Sequence, residues 1–546
     1  MHVLKQCYCA VFGAGYDYFV FMKMNRRCIL FLGLVFLSSS AHAQDAISKM
    51  NYFLRLLQSQ YVEEVNLDSL VEIGITGILE ELDPHSVYLS PDELKKANEP
   101  LEGNFEGVGV QFNIMDDTIV VVHVIIGGPS QKVGLQDGDK IVIIDGDTVA
   151  GRGITNEGVF KRLRGAKGTE VVVGIKREGV PEVLDFLIVR DKIPLYALDA
   201  AYLTPDKVGY IKLSRFAASA SDEVSDAIDS LNALGMKSLI LDLTGNSGGY
   251  LNQAHSLSDL FIDSDKLIVY TEGRAQPRQN LNAMFPGNFE KGKLVIMIDG
   301  GSASASEIVA GAVQDWDRGL LVGRRTYGKG LVQKGYNLPD HSAVRLTMAH
   351  YYTPSGRSIQ RPYKSGHRKY AEDIIDRMES GELFDETKIT IADSTPYYTN
   401  GKRLVYGGGG IMPDIYVPVD TTWRTDFYAK LLRTGTFSRF TLKYVNDNRA
   451  KLAAQYPDLA TFISKFKTEG PVWDDFLAYA TAKDLKPEGD YEKSVSSMQL
   501  QIKALVAQYL FDSKAYYQII NELDPIYVRA LQIIRGKDYK NILKTE

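Results

Sequence analysis

Residues Leu294–Gln333 read LVIMIDGGSASASEIVAGAVQDWDRGLLVGRRTYGKGLVQ, and this stretch decides the architecture of the chain. The run LVIMID is a short apolar segment of strand length, GGSASA is a turn of small residues, SEIVAGAVQDW has helical periodicity, and GLLVGRR is a second strand. The same strand-turn-helix order occurs upstream: KVGYIKLSRF (207–216) and SLILDL (238–243) are strands, TGNSGG (244–249) is a glycine-rich turn, and YLNQAHSLSDLF (250–261) opens a helix. Two such units imply an α/β core in which backbone amides at helix N-termini gather beside strand ends, where they can stabilise an anion.

The ends of this stretch pose a chemical question. A serine hydroxyl is a weak nucleophile that needs a base, and a neutral lysine can serve in place of histidine. Lys329 is bordered by Gly328 and Gly330 and followed by Leu331 and Val332, so its sequence neighbours include no carboxylate to keep it charged. A GKG tripeptide alone reads first as a lysine in a strand-end turn. SASASE reads equally as a helix start, with serine at the cap and Glu307 in the first turn. A nucleophile at such a turn would gain an oxyanion donor from the next amide, that of Ala305 if the nucleophile is Ser304, and a second from the Gly245–Gly249 turn.

The whole chain sets bounds. At 546 residues it should hold three or four domains. With 45% hydrophobic and 24% charged residues and a net charge of -6, it has a globular composition and gives no electrostatic reason to bind nucleic acid. Cys7, Cys9 and Cys28 all lie near the start. Basic Lys23, Arg26 and Arg27, the apolar run Cys28–Leu37 and Ala41-His42-Ala43 have the order of a secretory signal, with cleavage after Ala43. A start at Met22 or Met24 would make that signal conventional. The apolar run is only ten residues, whereas a permanent span needs about 20. Residues 1–43 are therefore expected to be removed, leaving a cysteine-free mature chain with no membrane span, suited to the periplasm of a Gram-negative bacterium.

Residues 44–101 place Phe53, Leu56, Leu57, Tyr61, Leu70, Ile73, Ile78 and Leu79 at helical spacing and end in LDPHSVYLSP, where Pro84 and Pro91 are expected to stop helices. His85, a lone histidine in a proline turn, reads as structural. Residues 102–193 change to short strands (GVGVQFNI, TIVVVHVI, DKIVIIDGDTV, TEVVVGIKR, PEVLDFLIVR) with one short and one longer helix between them. This small barrel with two helices, together with Gly107-Val108-Gly109-Val110, Pro129, Gly134-Leu135, Gly138-Asp139 and Asp145-Gly146, resembles a PDZ domain. Such a domain would add a peptide to the strand near Val108–Ile114 and receive its terminal carboxylate on amides of Gly107, Val108, Gly109 and Val110. The same glycines could simply make a bulge.

Residues 194–420 carry the α/β core, interrupted at about 361–403 by a polar, irregular insertion with one helical stretch, KYAEDIIDRMES. HSAVRLTMAHYYTPSGRSIQ reads as two strands and a turn, and YGGGGIMPDIYVPVD resumes the strand pattern. Residues 421–546 read as a folded helical domain whose chemistry is not legible. The fold class expected is multidomain α+β.

SASASEI, the GKG lysine 25 residues beyond Ser304 and Gln333 four further on resemble the carboxyl-terminal processing peptidases, or tail-specific proteases: serine peptidases with a Ser-Lys pair and a PDZ domain. The resemblance runs from about Tyr52 to Asp420 and includes LDPHS, LDLTGNSGG, YGKGLVQ and GIMPDI. It implies Ser304 as nucleophile, Lys329 as general base, Gln333 as a partner holding the lysine, Gly248 and Ala305 as oxyanion donors, and unstructured protein C-termini as substrates. No cofactor or metal is implied; an adaptor or a second copy of the chain is a candidate partner. It also suggests that the PDZ domain gates the site, with Arg164 a candidate contact. The chain departs from the family at Thr244-Gly245-Asn246-Ser247, where arginine and proline are usual. A threonine hydroxyl does not replace an arginine's planar donors, which leaves open how the turn is braced. Two other readings remain at this level: a catalytically silent PDZ-bearing scaffold of the envelope, and a hydrolase built on His350 or His255.

Overall fold

The computed structural model describes residues 45–391 and 393–543; the expected signal, its cut after Ala43 and the alternative starts lie outside the described residues. The chain's described residues divide into two units, 45–78 and 79–543. The first holds the helix 45–60 and most of the helix Leu67–Glu80. The apolar residues read at helical spacing are present, but Phe53, Leu56, Tyr61 and Ile73 are exposed.

The second unit centres on a six-stranded sheet in the order Leu198–Leu203, Val208–Leu213, Ser238–Asp242, Lys293–Ile298, Leu320–Gly323, Ile415–Tyr416. The first pair is antiparallel and the rest are parallel. Both faces are covered, which is why LVIMI is continuously apolar, as expected of a buried parallel strand. Leu294, Ile296 and Ile298 face the helices Ala220–Ala233, Leu251–Asp259 and Ala305–Asp315. Val295 and Met297 face the other way, onto Ile526, Ala530, Ile533 and Tyr539 of the last two helices, Pro525–Arg535 and Asp538–Leu543. These two helices thus close the second face of the core sheet.

A second sheet carries the lysine. Strand Leu331–Asn337 pairs with the long strand Ala343–Tyr352, whose other edge takes Val87–Leu89 and Leu267–Gly273. The segment read as two strands and a turn is one ten-residue strand, then a turn and an isolated bridge from Tyr352 to Ser358. Pro91 begins a helix instead of stopping one: Ser90 caps Pro91–Glu102 in a capping box with Glu93, and proline at the first helical position gives up an amide that would be unpaired anyway. The insertion is more ordered than its composition suggests, with helices His367–Ala371 and Asp373–Glu379 and a hairpin of Asp393–Tyr398 with Leu404–Gly407.

Five strands and a short sixth, Val110–Met115 through Val183–Val189, form the predicted small barrel, with helices Pro129–Lys132 and Asn156–Leu163. The fold is mixed α+β, with a predominantly helical region from Asp426 onward around Phe427, Phe440, Phe462, Phe476 and Ile502. Among the described residues no helix is long and apolar enough to cross a membrane.

Candidate active site

Strand Lys293–Ile298 delivers the chain into a turn that ends at Ser304, immediately before the helix Ala305–Asp315. Ser304 has φ 54° and ψ -110°, a conformation uncommon for a residue with a side chain and characteristic of strained functional turns. The three serines of SASAS separate by environment. Ser302 and Ser306 are fully buried, and their hydroxyls donate to the carbonyls of Leu243 and Asn246, each at 2.8 Å. Ser304 alone reaches the surface.

The glycine turn 245–249 lies against it. A Cβ on Gly248 would stand 2.9 Å from the Ser304 Cβ, and Gly248 has φ +99°, so both contact and conformation call for glycine there. Its amide, however, donates to Asn246 Oδ1 at 2.9 Å, and would have to leave that partner to serve an oxyanion. Ala305, as first residue of its helix, has an amide with no intrahelical acceptor. The turn is braced from a place the sequence did not reveal: Lys212 Nζ donates to Thr244 O at 2.6 Å, Thr244 Oγ1 at 2.9 Å and Asp242 Oδ1 at 3.0 Å. Asp299 Oδ1 accepts the amides of Gly245 (2.8 Å) and Gly301 (2.9 Å), joining the glycine turn to the serine turn. A buried lysine thus takes up the bracing that the sequence left open at Thr244.

Lys329 arrives on the loop before strand Leu331–Asn337. Its main chain is bound to that of the serine turn twice. Glu307 Oε2 accepts the amides of Ser304 (2.8 Å) and Lys329 (2.9 Å), and the Tyr351 hydroxyl lies 3.0 Å from the carbonyl of Ser304 and 2.5 Å from that of Lys329. Burial, then the charge of Arg345, pull the lysine below its ordinary pKa, against the opposing influence of Glu307 and Asp83. Lys329 Nζ makes no ion pair or hydrogen bond with any described residue, the Ser304 hydroxyl included; such bonds are often long before substrate binds. Gln333 enters next to a β-bulge between Val332 and Gln333. Its Nε2 is buried without a partner and makes no bond to Lys329.

The LDPHS segment also reaches this region. Asp83 accepts the His85 amide, the Ser86 amide and hydroxyl, and the Thr347 hydroxyl. His85 Nε2 lies 2.9 Å from the Tyr370 hydroxyl, and burial, then the charge of Lys329, push its pKa down to about 4. His255 Nε2 bonds the Asn282 carbonyl, and His350 stands on strand Ala343–Tyr352 beside Tyr352; neither bonds Ser304. The insertion supports the lysine loop: Arg377 donates to the carbonyls of Arg325, Thr326 and Tyr327 at 3.3, 2.9 and 3.4 Å. Arg361 lies over the rings of Tyr327 and Tyr370 at 3.9 and 3.8 Å.

In the barrel, Gly107 pairs with Asp191 and the Val108 carbonyl accepts the Ser130 amide and hydroxyl. Gly109 has φ +78°, and a Cβ there would meet Ile193 Cδ1 at 3.0 Å. Val110 starts the strand Val110–Met115, which pairs on one side with Thr118–Val124 and ends the sheet on the other. Phe112 on that strand meets Phe160 of helix Asn156–Leu163 edge-on at 5.5 Å. Arg164 caps this helix, lies over Phe105 and Phe160, and pairs with Glu99 at 2.6 Å.

An open edge strand facing a helix, joined to a strained serine at a helix start with a lysine tied alongside, defines the class: a serine peptidase with a PDZ domain. Residues 207–366 match peptidase family S41, residues 107–187 a PDZ domain, residues 13–93 the N-terminal domain of the activating protease CtpB, and residues 427–512 a family of unknown function. The carboxy-terminal-processing protease of Bartonella bacilliformis is 36% identical over 62% of this chain and 81% of its own. The carboxy-terminal processing protease CtpA of Bacillus subtilis is 33% identical over 66% and 75%. A solved photosystem II D1 C-terminal processing protease is 25% identical over 67% of this chain and 86% of its own, with a TM-score of 0.35. The chain belongs to the carboxy-terminal processing protease family of serine peptidases.

Proposed function

We propose that this protein is an exported processing endopeptidase whose PDZ domain takes unstructured protein C-termini and whose Ser304–Lys329 pair cleaves peptide bonds near them. Neutral Lys329 takes the proton from the Ser304 hydroxyl as its oxygen attacks the scissile carbonyl. The tetrahedral oxyanion is held by the Ala305 amide, with Gly248 as the second donor once its amide leaves Asn246. Collapse expels the amine, which takes the proton back from Lys329. Water, deprotonated by the same lysine, then attacks the acyl-serine ester; the Ser304 oxygen leaves and takes that proton back, releasing the acyl group as a new C-terminal carboxylate. Gln333 steadies the lysine when substrate is bound. The reaction as drawn uses no metal or cofactor.

The observation that carries this reading is Lys329, bound to the Ser304 turn through its main chain yet without a carboxylate partner for its side chain among the described residues. Substrate C-termini enter as a strand beside Val110–Met115, with their carboxylate on the amides of Gly107–Val110. Ser304→Ala and Lys329→Ala should each reduce turnover of an unfolded protein substrate by about 10⁴-fold or more with an unchanged melting temperature. A fluorophosphonate should label the natural chain at Ser304 alone. Turnover near the natural rate in either variant would falsify the pairing. Periplasmic location and leader removal after Ala43 are checked by fractionation and N-terminal sequencing. Pull-down from envelope extract with Ser304→Ala tests for an adaptor, and light scattering for a second copy.

A further inference from the structure

Glu307 lies three residues past Ser304, with no exposed surface. Its carboxylate accepts four hydrogen bonds: Oε2 from the amides of Ser304 and Lys329, Oε1 from the Gly328 amide at 2.7 Å and the Thr326 hydroxyl at 2.5 Å. Four donors fill the acceptor capacity of a carboxylate. No lysine, arginine or histidine pairs with it among the described residues, so these four donors replace its water. A carboxylate in the first turn of a helix ordinarily needs only the cap amide and the helix dipole. Here the other three donors come from residues 326–329, a separate segment, and the Ser304 and Lys329 amides meet on one oxygen.

We infer that Glu307 is a positioning residue for both halves of the catalytic pair, its single carboxylate fixing the main chain of Ser304 relative to that of Lys329. This rests on the Ser304–Lys329 reading above. The lysine loop cannot slide along the serine turn without breaking a bond to that shared oxygen, and the strained backbone of Ser304 is held by its own amide. Tyr351, between the two carbonyls, fastens the same two residues from the other polar end of each. Glu307 touches no substrate in this arrangement and acts through the two residues it holds.

Its charge has a second, separable consequence. The charged groups acting on Lys329 are Arg345, which favours the neutral amine, and Glu307 and Asp83, which favour the ammonium; His85, beside it, is kept neutral. Burial holds the Glu307 carboxyl above its ordinary pKa against the pull of its four hydrogen bonds; where it is ionised, replacing it by neutral glutamine removes one of the two charges that hold a proton on the lysine, so the amine is freed at lower pH. Glutamine also offers one acceptor oxygen and turns an NH2 toward incoming N–H donors.

The test uses the mature chain and an unfolded protein substrate. Glu307→Gln is expected to lower kcat about 100-fold, leave KM within about two-fold, and move the acid limb of the kcat/KM profile to lower pH. A merely structural role would leave that limb where it is. Glu307→Asp keeps the charge but withdraws the carboxylate by one methylene, and is expected to lower kcat about ten-fold or more with the limb in place. Natural kcat in Glu307→Gln, an unmoved limb, or loss of folding in both variants would overturn the proposal. Activity in Ser304→Ala or Lys329→Ala, measured in parallel, would instead overturn the catalytic pair itself.

Discussion

At the scale of single residues, several charged groups of the site take partners distant in sequence. Lys212 is the clearest case. It lies in a strand where a period-two reading makes it an ordinary polar position, yet it is buried and holds both Asp242 and Thr244. Lys212→Met should free the glycine turn and leave Asp242 short of its cation, costing about 3–5 kcal/mol of stability together with a drop in kcat; denaturant unfolding and turnover measure the two. His85 yields a pH prediction. With its pKa near 4, below the ordinary 6.5, it stays neutral through the working range. With Lys329 as the proposed general base, the acid limb of kcat/KM should belong to Lys329 alone, activity rising with pH as the lysine gives up its proton. An inflection near 6.5 that disappears in His85→Asn would contradict this. Ser304 and Lys329 were both singled out by the resemblance, since GKG and SASAS taken alone read as a strand-end turn and a helix start, but Glu307 read only as a first-turn carboxylate, because nothing local marks a side chain that binds a loop twenty residues on.

At the scale of elements, the insertion between the core strands is the main difference between sequence and structure. Its polar composition suggested an irregular excursion with one helix. Instead Arg361 and Arg377 of the insertion are buried, and its Glu382 pairs with Arg325 of the core through two bonds of 2.6 and 2.7 Å. Arg377→Ala would leave buried carbonyls of residues 325–327 without their donor, at about 1–3 kcal/mol for each group left unpaired. Hydrogen exchange at the Gly328 and Lys329 amides should quicken, and kcat should fall with it. Unchanged exchange in that loop would show that the insertion does not support it. The parallel strands and their helices were readable because continuous apolar runs and glycine turns are local signals. The insertion was not, since a charged side chain gives the same sequence signal whether it faces water or a row of carbonyls.

At the scale of the whole molecule, two contacts join regions that the sequence presents as separate. The last helices cover the second face of the core sheet, and the PDZ domain rests on the helical region through Met115 and Val122. Beside them Asp137 takes His123 at 2.9 Å and the Val124 amide at 2.8 Å, with Arg449 at 4.0 Å. Val122→Asp would set a carboxylate against that apolar cluster, costing about 1–3 kcal/mol, and should expose the barrel to limited proteolysis at its boundaries without unfolding the core. Equal protease resistance in the variant would mean the contact does not hold the barrel. The sequence alone determined the core strands and helices, the glycine turns and the small-residue settings of Ser304 and Lys329, because dihedral preference and apolar periodicity act over a few residues. Only the tertiary structure decided that Lys212 braces the glycine turn, that Glu307 joins serine to lysine and that Arg377 carries the lysine loop. Those partners are chosen by where the chain crosses itself, since a buried polar group must bond whatever the fold brings within reach.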